Sequence, residues 1–177
     1  VMKRLPPSQI GSLRVIPLVL LFAALPGPLR AADPTPLRVL IFSGQNNHNW
    51  RETTPRLREI LTASGRFVVD VTEHPERGTA EQFARYDVIL SDWNAWGDAP
   101  EKAWPKPLRD DFLNFVRAGR GHVVVHAGGA SFFDWTEYQQ LIGGTWGKDT
   151  GHGAVHTFEV KPNDADHPIT RGLAPFK

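Results

Sequence analysis

Residues 37–42 read LRVLIF, and Pro36 and Gly44 bound this apolar run. A short apolar run between turn residues is typical of a strand that is buried on both faces. Four later segments have the same character: FVVDV, YDVIL, HVVV and TFEV, at residues 67–71, 86–90, 122–125 and 157–160. The sequence therefore predicts a sheet of five short strands.

Apolar residues recur at helical spacing between these strands. Thr54 is a predicted N-cap, Pro55 then takes the first helical position, and Gly65 ends the helix. Further helices are predicted at residues 79–84, 108–116 and 138–142. Alternating strands and helices indicate a parallel sheet covered on both faces. The predicted fold class is α/β: a three-layer, flavodoxin-like, doubly wound and mostly parallel sheet.

The composition excludes several classes of function. The chain has 177 residues, of which 41% are hydrophobic and 22% charged, as in an ordinary globular protein. It has no Cys, so disulfides, Cys-ligated metals and Cys nucleophiles are excluded. Residues 1–32 hold four basic and no acidic side chains, which leaves 16 basic against 19 acidic groups in the remainder. A mildly acidic body does not favour nucleic acid as a partner.

Residues 1–32 are predicted to be a signal peptide. Lys3 and Arg4 precede an apolar run at 15–25, and the small residues Ala31 and Ala32 follow. The run is shorter than the roughly 20 residues that span a bilayer, although an uncleaved anchor is the alternative. We expect cleavage after Ala31 or Ala32, a secreted or periplasmic protein without stable membrane insertion, and a domain at 33–177.

Polar and aromatic residues follow three of the predicted strands. These loops are 43–50 (SGQNNHNW), 91–97 (SDWNAWG) and 126–131 (HAGGAS), and a fourth segment, 146–156, adds two histidines. Ligands of open parallel sheets bind beyond the carboxyl ends of the strands. The sequence therefore predicts that these segments share one pocket.

The predicted catalytic residues are His126, His48 and Asp92. His126 ends a β-branched strand, where a neutral imidazole can act as a base or a metal ligand, while His48 and Asp92 orient it or the substrate. The alternative is a polar turn and a buried histidine. The same reasoning gives His48, His126, His152 and His156 as candidate ligands of a divalent cation, although the sequence requires no cofactor.

The predicted substrate-binding residues combine indoles with amides, carboxylates and flexible turns: Trp50, Trp93, Asn94, Gly128, Gly129, Asp134 and Trp135. Trp50 and Trp93 are expected to stack on a sugar ring, whose hydroxyls need polar partners. Core packing is the alternative for any single Trp. A small carbohydrate is the expected partner, and a homo-oligomer is left open.

The chain resembles the trehalose-utilisation (ThuA-like) family. The matching segments are LRVLIFSGQNNHNW (37–50), YDVILSDWN (86–94), GRGHVVVHAGGASFFDWTEYQQLIGGTW (119–146), GHGAVHTFEV (151–160) and DHPITRGL (166–173). The resemblance implies a fold similar to class I glutamine amidotransferases and a role in carbohydrate catabolism, with keto-sugars as substrates.

Two departures qualify the resemblance. Amidotransferases carry a Cys nucleophile at the turn after a central strand, whereas this turn is 125–128 (VHAG) and the chain has no Cys. Cys-dependent glutamine hydrolysis is therefore excluded. Family members also continue beyond the HPITRGL run, so the domain at 33–177 is expected to be incomplete at its C-terminus.

The leading hypothesis is an exported ThuA-like protein that processes a disaccharide or keto-sugar derivative, as a hydrolase, isomerase or lyase. The alternatives are a non-catalytic carbohydrate-binding module in the same pocket, and a scaffold or interaction domain.

Overall fold

The predicted apolar runs form a parallel sheet. A computed structural model describes residues 35–94, 104–147 and 149–177, and the predicted signal peptide lies outside these ranges. The elements are, in order, β1 (Leu37–Phe42), α1 (Trp50–Ala63), β2 (Phe67–Thr72), α2 (Ala80–Phe83), β3 (Val88–Ser91), α3 (Lys106–Arg117), β4 (Gly121–Val124) and α4 (Thr136–Ile142). Two 3₁₀ turns, Pro75–Arg77 and His126–Ala130, complete the described secondary structure.

The strand order is β2-β1-β3-β4, and every pair is parallel. Phe42 pairs with Thr72 on one side and with Ser91 on the other, and Ser91 pairs with Val124. The four carboxyl ends therefore lie along one edge of the sheet, where the site residues follow.

Side chains that alternate along the strands build a core on each face of the sheet. Val39 and Ile41 face α1, where Leu57 and Leu61 pack against them. Leu40, Phe42 and Ile89 face the other way, into an aromatic core with α2, α3 and α4. This arrangement confirms the three-layer α/β fold.

Helix α1 begins five residues earlier than predicted. It starts at Trp50, so Pro55 lies inside the helix and Thr54 is not the N-cap. Thr54 instead turns inward, and its hydroxyl hydrogen-bonds the Ser43 hydroxyl at 2.6 Å in the buried interior. The predicted end is confirmed, because Gly65 follows α1 with a φ of 68°.

The strand predicted at 157–160 is wrong. Among the described residues the sheet has four strands, and Val160 makes only an isolated antiparallel bridge with Phe176. Phe158 and Val160 are exposed, so this segment buries no apolar face that would hold it against the sheet. In the ranges that the structure describes, no helix has the length and apolarity needed to cross a membrane.

Candidate functional site

His48 and His126 are 78 residues apart in sequence, and their Nε2 atoms lie 3.0 Å apart. The two ring centroids are separated by 4.5 Å, and the ring planes are inclined by 45°. When both imidazoles are neutral, the Nε2 that carries a hydrogen donates a hydrogen bond to the Nε2 of the other ring. The predicted convergence of the loops after β1 and β4 is therefore confirmed.

Asn46 fixes the loop that carries His48. Its side-chain oxygen accepts a hydrogen bond from the backbone N–H of His48 at 2.8 Å, which forms a local turn. Its side-chain nitrogen donates to the carbonyl of Asp92 at 2.6 Å. One amide thus ties the β1 loop to the end of β3.

Asn94 joins the three loops from within the interior. Its side-chain nitrogen donates to Asn47 Oδ1 at 3.0 Å and to the carbonyl of Ala127 at 3.1 Å. The residue is fully buried, so it holds the walls of the site in place and offers no surface to a substrate. The predicted contact between Asn94 and substrate is therefore corrected.

The turn after β4 holds His126 in a strained backbone. Its φ is 35°, in the left-handed region that non-glycine residues rarely adopt. Gly128 follows in the same turn and lies against the carbonyl of Ser91, and the Tyr138 hydroxyl donates to the Gly128 carbonyl at 3.2 Å. Strain of this kind needs support from the surrounding structure, which α4 provides.

Asp92 lies at the end of β3 and is only 2% exposed. Its Oδ2 atom has no hydrogen-bond partner in the described part of the chain. Burial raises the pKa of Asp92 to about 6, and the neighbouring His126 opposes the rise. The carboxyl group of Asp92 is therefore close enough to His126 to interact with it electrostatically.

A pocket of about 310 Å³ opens over the histidine pair. In the described part of the chain, its lining consists of Asn47, His48, His126, Ala127, Ala130, Trp146 and His152. Mixed apolar and polar linings of this size are typical of small-molecule sites.

The three indoles that the sequence predicted to contact the substrate, Trp50, Trp93 and Trp135, lie outside the pocket lining. Trp93 is fully buried and Trp135 is 4% exposed, because both side chains turn into the aromatic core on the helical side of the sheet. Trp50 is half-buried, but it lies outside the pocket lining and under the guanidinium of Arg51, 4.2 Å from its ring. None of the three is placed to stack on a ligand in this pocket.

Three other predicted residues also lie apart from the pocket lining. Asp134 is exposed and pairs with Arg109 at 2.9 Å. Gly128 packs closely on the backbone of Ser91, and the carbonyl of Gly129 accepts a hydrogen bond from the Trp146 backbone N–H. These two glycines belong to the turn that carries His126.

Three of the four predicted metal ligands lie on the pocket. His48, His126 and His152 line the pocket, whereas the exposed His156 lies elsewhere and its Nδ1 hydrogen-bonds the Thr157 carbonyl. No group of three His, Asp or Glu side chains within residues 35–94, 104–147 and 149–177 is arranged to hold a metal ion.

Trp146, Asn47 and two small residues, Ala127 and Ala130, line the pocket but were not among the predicted site residues. Trp146 is the largest of them. Its ring lies 4.6 Å from that of His152, and both side chains line the pocket. The signal in the sequence was its position beside a histidine-bearing loop, six residues before His152.

The fold and the pocket together define a flavodoxin-like α/β protein with a pocket at the carboxyl ends of its strands. Residues 38–177 match the family model of ThuA, described as trehalose utilisation. The chain belongs to the ThuA family, and membership suggests a carbohydrate-related role.

Two solved structures are similar to this chain. A ThuA-like protein from Parabacteroides merdae is 29% identical with a TM-score of 0.65, over 79% of this chain and 59% of its own. A ThuA-like protein from Bacteroides uniformis is 21% identical with a TM-score of 0.56, over 85% and 61%, and shows the fold alone. The chain thus spans about three fifths of the length of both. A search of curated proteins found no match.

Proposed function

We propose that this protein processes a disaccharide or a keto-sugar derivative, with His126 as the base. The observation that carries the proposal is the pair of imidazoles, His126 and His48, whose Nε2 atoms are 3.0 Å apart in a pocket of small-molecule size. ThuA family membership supports a carbohydrate as the substrate class.

The histidine pair suits removal of a proton from carbon. The C–H next to a sugar carbonyl is acidic, and an imidazole near neutral pH is an effective base. The proton moves to the His126 imidazole, the electron pair of the C–H bond forms a carbon–carbon double bond, and the π electrons of the carbonyl move to its oxygen, which gives an enolate. When the carbonyl re-forms, the electrons of the double bond either expel a glycosidic oxygen from the next carbon, which leaves with the proton that the imidazolium returns, or take that proton back at the carbon that lost it, on the opposite face. The products are those of a lyase or an isomerase.

Asp92 and His48 support this chemistry from two sides. The positive charge that His126 gains lies beside the buried Asp92 carboxyl, which stabilises the charge when ionised. His48 shares the added proton across the 3.0 Å contact. His126 is therefore the proposed base, and His48 and Asp92 assist it.

The test is turnover of trehalose and of chemically oxidised keto-trehalose, followed by NMR of the products. His126→Ala should lower turnover by about 100-fold or more, because a general base contributes 10²–10⁴-fold. The matched control is His74→Gln, at a half-exposed histidine outside the pocket lining. Unchanged turnover by His126→Ala would exclude His126 as the base, and saturable binding without product in the wild type would favour a non-catalytic module.

The same pair favours a second role, as ligands of a divalent cation. Two nitrogens bound to one zinc ion at 2.0–2.1 Å and a tetrahedral angle lie about 3.4 Å apart, close to the 3.0 Å seen here. Water or a substrate oxygen would fill the other positions. Titration with zinc should then show one equivalent bound by the wild type and none by His48→Ala. Equal binding by both proteins would refute this role.

We also propose that the protein is exported. The basic start, short apolar run and small residues within residues 1–32 support a signal peptide. Expression of the full chain in a Gram-negative host, followed by fractionation and N-terminal sequencing, should give a periplasmic protein that begins after Ala31 or Ala32. An uncleaved protein in the membrane fraction would show an anchor instead.

A further inference from the structure

We propose that Trp146 and His152 form a stacking wall that recognises the apolar face of a sugar ring. This inference rests on the proposed function, because it names the substrate class of the same pocket. The wall would make the site selective for cyclic sugars and their glycosides over acyclic polyols with the same hydroxyl groups.

The two rings form one aromatic surface beside the histidine pair. Their centroids are 4.6 Å apart and their planes are inclined by 35°, so the rings partly stack. Both side chains line the pocket together with His48 and His126. A ligand in this pocket that reaches the histidine pair therefore lies beside the wall.

A short loop brings the two rings together. The Gly147 backbone N–H donates to the Thr150 hydroxyl at 2.9 Å, and that hydroxyl donates to the Gly147 carbonyl at 2.7 Å. The Thr150 backbone N–H also donates to the Gly147 carbonyl, at 3.1 Å. These bonds close the chain between Trp146 and His152, so the pairing of the rings follows from the loop.

The wall is attached to the turn that carries the proposed base. The Trp146 backbone N–H donates to the Gly129 carbonyl at 2.9 Å. Gly129 belongs to the His126–Ala130 turn. The backbone bond therefore links the position of the indole to that of His126, whichever side chain is present at 146.

The other described indoles are placed elsewhere. Trp93, Trp104 and Trp135 are at most 4% exposed in the aromatic core. Trp50 lies outside the pocket lining, beside Arg51. Among the residues described, Trp146 is thus the indole available to a ligand in this pocket.

A pyranose ring matches this surface. The face of an aromatic ring carries a partial negative charge, and the C–H bonds on one side of a pyranose present a weakly positive apolar patch. The amide of Asn47 and the imidazole of His48 lie on the same pocket and suit the hydroxyls at the ring edge. An acyclic polyol lacks a continuous C–H face, so it would lose the stacking contribution.

The experiment measures binding, independently of turnover. Calorimetry and intrinsic fluorescence would follow trehalose, with sorbitol as the acyclic probe, on the wild type and on Trp146→Ala, Trp146→Phe and Trp50→Ala. We expect trehalose to bind more tightly than sorbitol, and Trp146→Ala to weaken trehalose binding about tenfold. Trp146→Phe should restore most of the affinity, and Trp50→Ala should bind as the wild type does.

The outcomes separate this inference from the proposed function. Loss of binding in Trp146→Ala with rescue by Trp146→Phe supports the wall, even if no keto-sugar is turned over. Wild-type affinity in a folded Trp146→Ala variant overturns the wall, even if turnover depends on His126. The stacking wall is also overturned if sorbitol and trehalose bind with equal affinity, or if neither binds detectably. Loss of trehalose binding in Trp50→Ala would overturn it as well.

Discussion

Gly128 lies so close to Ser91 that a Cβ atom at position 128 would collide with the Ser91 carbonyl oxygen. That oxygen accepts the β4-to-β3 hydrogen bond from Val125 at 2.9 Å, so it cannot move without disturbing the sheet. The turn that presents His126 is therefore packed directly on the neighbouring strand.

Gly128→Ala should destabilise the protein by about 1–3 kcal/mol, because the added methyl group forces the turn away from β3. Urea denaturation measures the loss. Gly129→Ala is the matched control, since no atom lies within 4 Å of a Cβ placed there. It should change stability by less than about 0.5 kcal/mol. Equal effects at the two glycines would contradict the packing argument.

His126→Gly should be more stable than His126→Ala by about 1 kcal/mol, because alanine retains the penalty of a left-handed backbone and glycine does not. Both variants lack the imidazole, so the comparison isolates the backbone at a φ of 35°. Thermal and urea unfolding of the two variants provide the measurement. At Ala127, where φ is not positive, replacement by Gly should instead destabilise by about 0.5–1 kcal/mol. An alanine variant as stable as the glycine variant would show that residue 126 is unstrained.

Asp92→Asn should gain stability relative to the wild type as the pH rises. The pKa of Asp92 is about 6 in the folded protein against an ordinary value of 3.8, so the folded state binds more protons between these values. The wild type therefore loses stability as the pH rises through this window, by at most about 3 kcal/mol, and Asn does not titrate.

Urea denaturation of both proteins at pH 4 and pH 7.5 tests this prediction. Asp134→Asn is the control at an exposed carboxyl, and its effect should stay below about 1 kcal/mol at both values. If the difference in the free energy of unfolding between Asp92→Asn and the wild type is the same at both pH values, the pKa of Asp92 is not raised.

Thr54→Val should destabilise the protein by about 1–2 kcal/mol, because it leaves the buried Ser43 hydroxyl without its partner. Thr62→Val, at an exposed position of α1, should cost less than about 0.5 kcal/mol. Equilibrium unfolding compares the two. If Thr54 were the N-cap expected from the sequence, Asn or Asp at this position would restore stability, whereas a buried hydrogen bond inside α1 predicts that they do not.

The sheet could be predicted because its central strands, β1 and β3, are mostly buried on both faces, and because the edge strands β2 and β4 are also short apolar runs. A run such as LRVLIF can be identified as a strand from its own residues, before the strands that pair with it are known. The carboxyl ends of parallel strands must then share one edge of the sheet. That rule was enough to predict that His48 and His126, 78 residues apart in sequence, lie close together.

The roles of the indoles and of Asn94 could not be predicted, because they depend on the direction in which a loop turns. Trp93 follows the polar pair Ser91 and Asp92, yet its side chain enters the core. The start of α1 was missed because Pro55 is typical of a first helical turn, whereas here the packing of Trp50–Ala63 on β1 and β2 tolerates it inside the helix.

The strand order β2-β1-β3-β4 sets the distance that the histidine pair must span. β1 and β4 are separated by β3, so their ends are about 9.5 Å apart at the usual inter-strand spacing. His48 and His126 nevertheless meet, because their Nε2 atoms lie 3.0 Å apart. An alanine at either position removes this contact, so the pairing depends on both side chains and on the separation that the sheet sets.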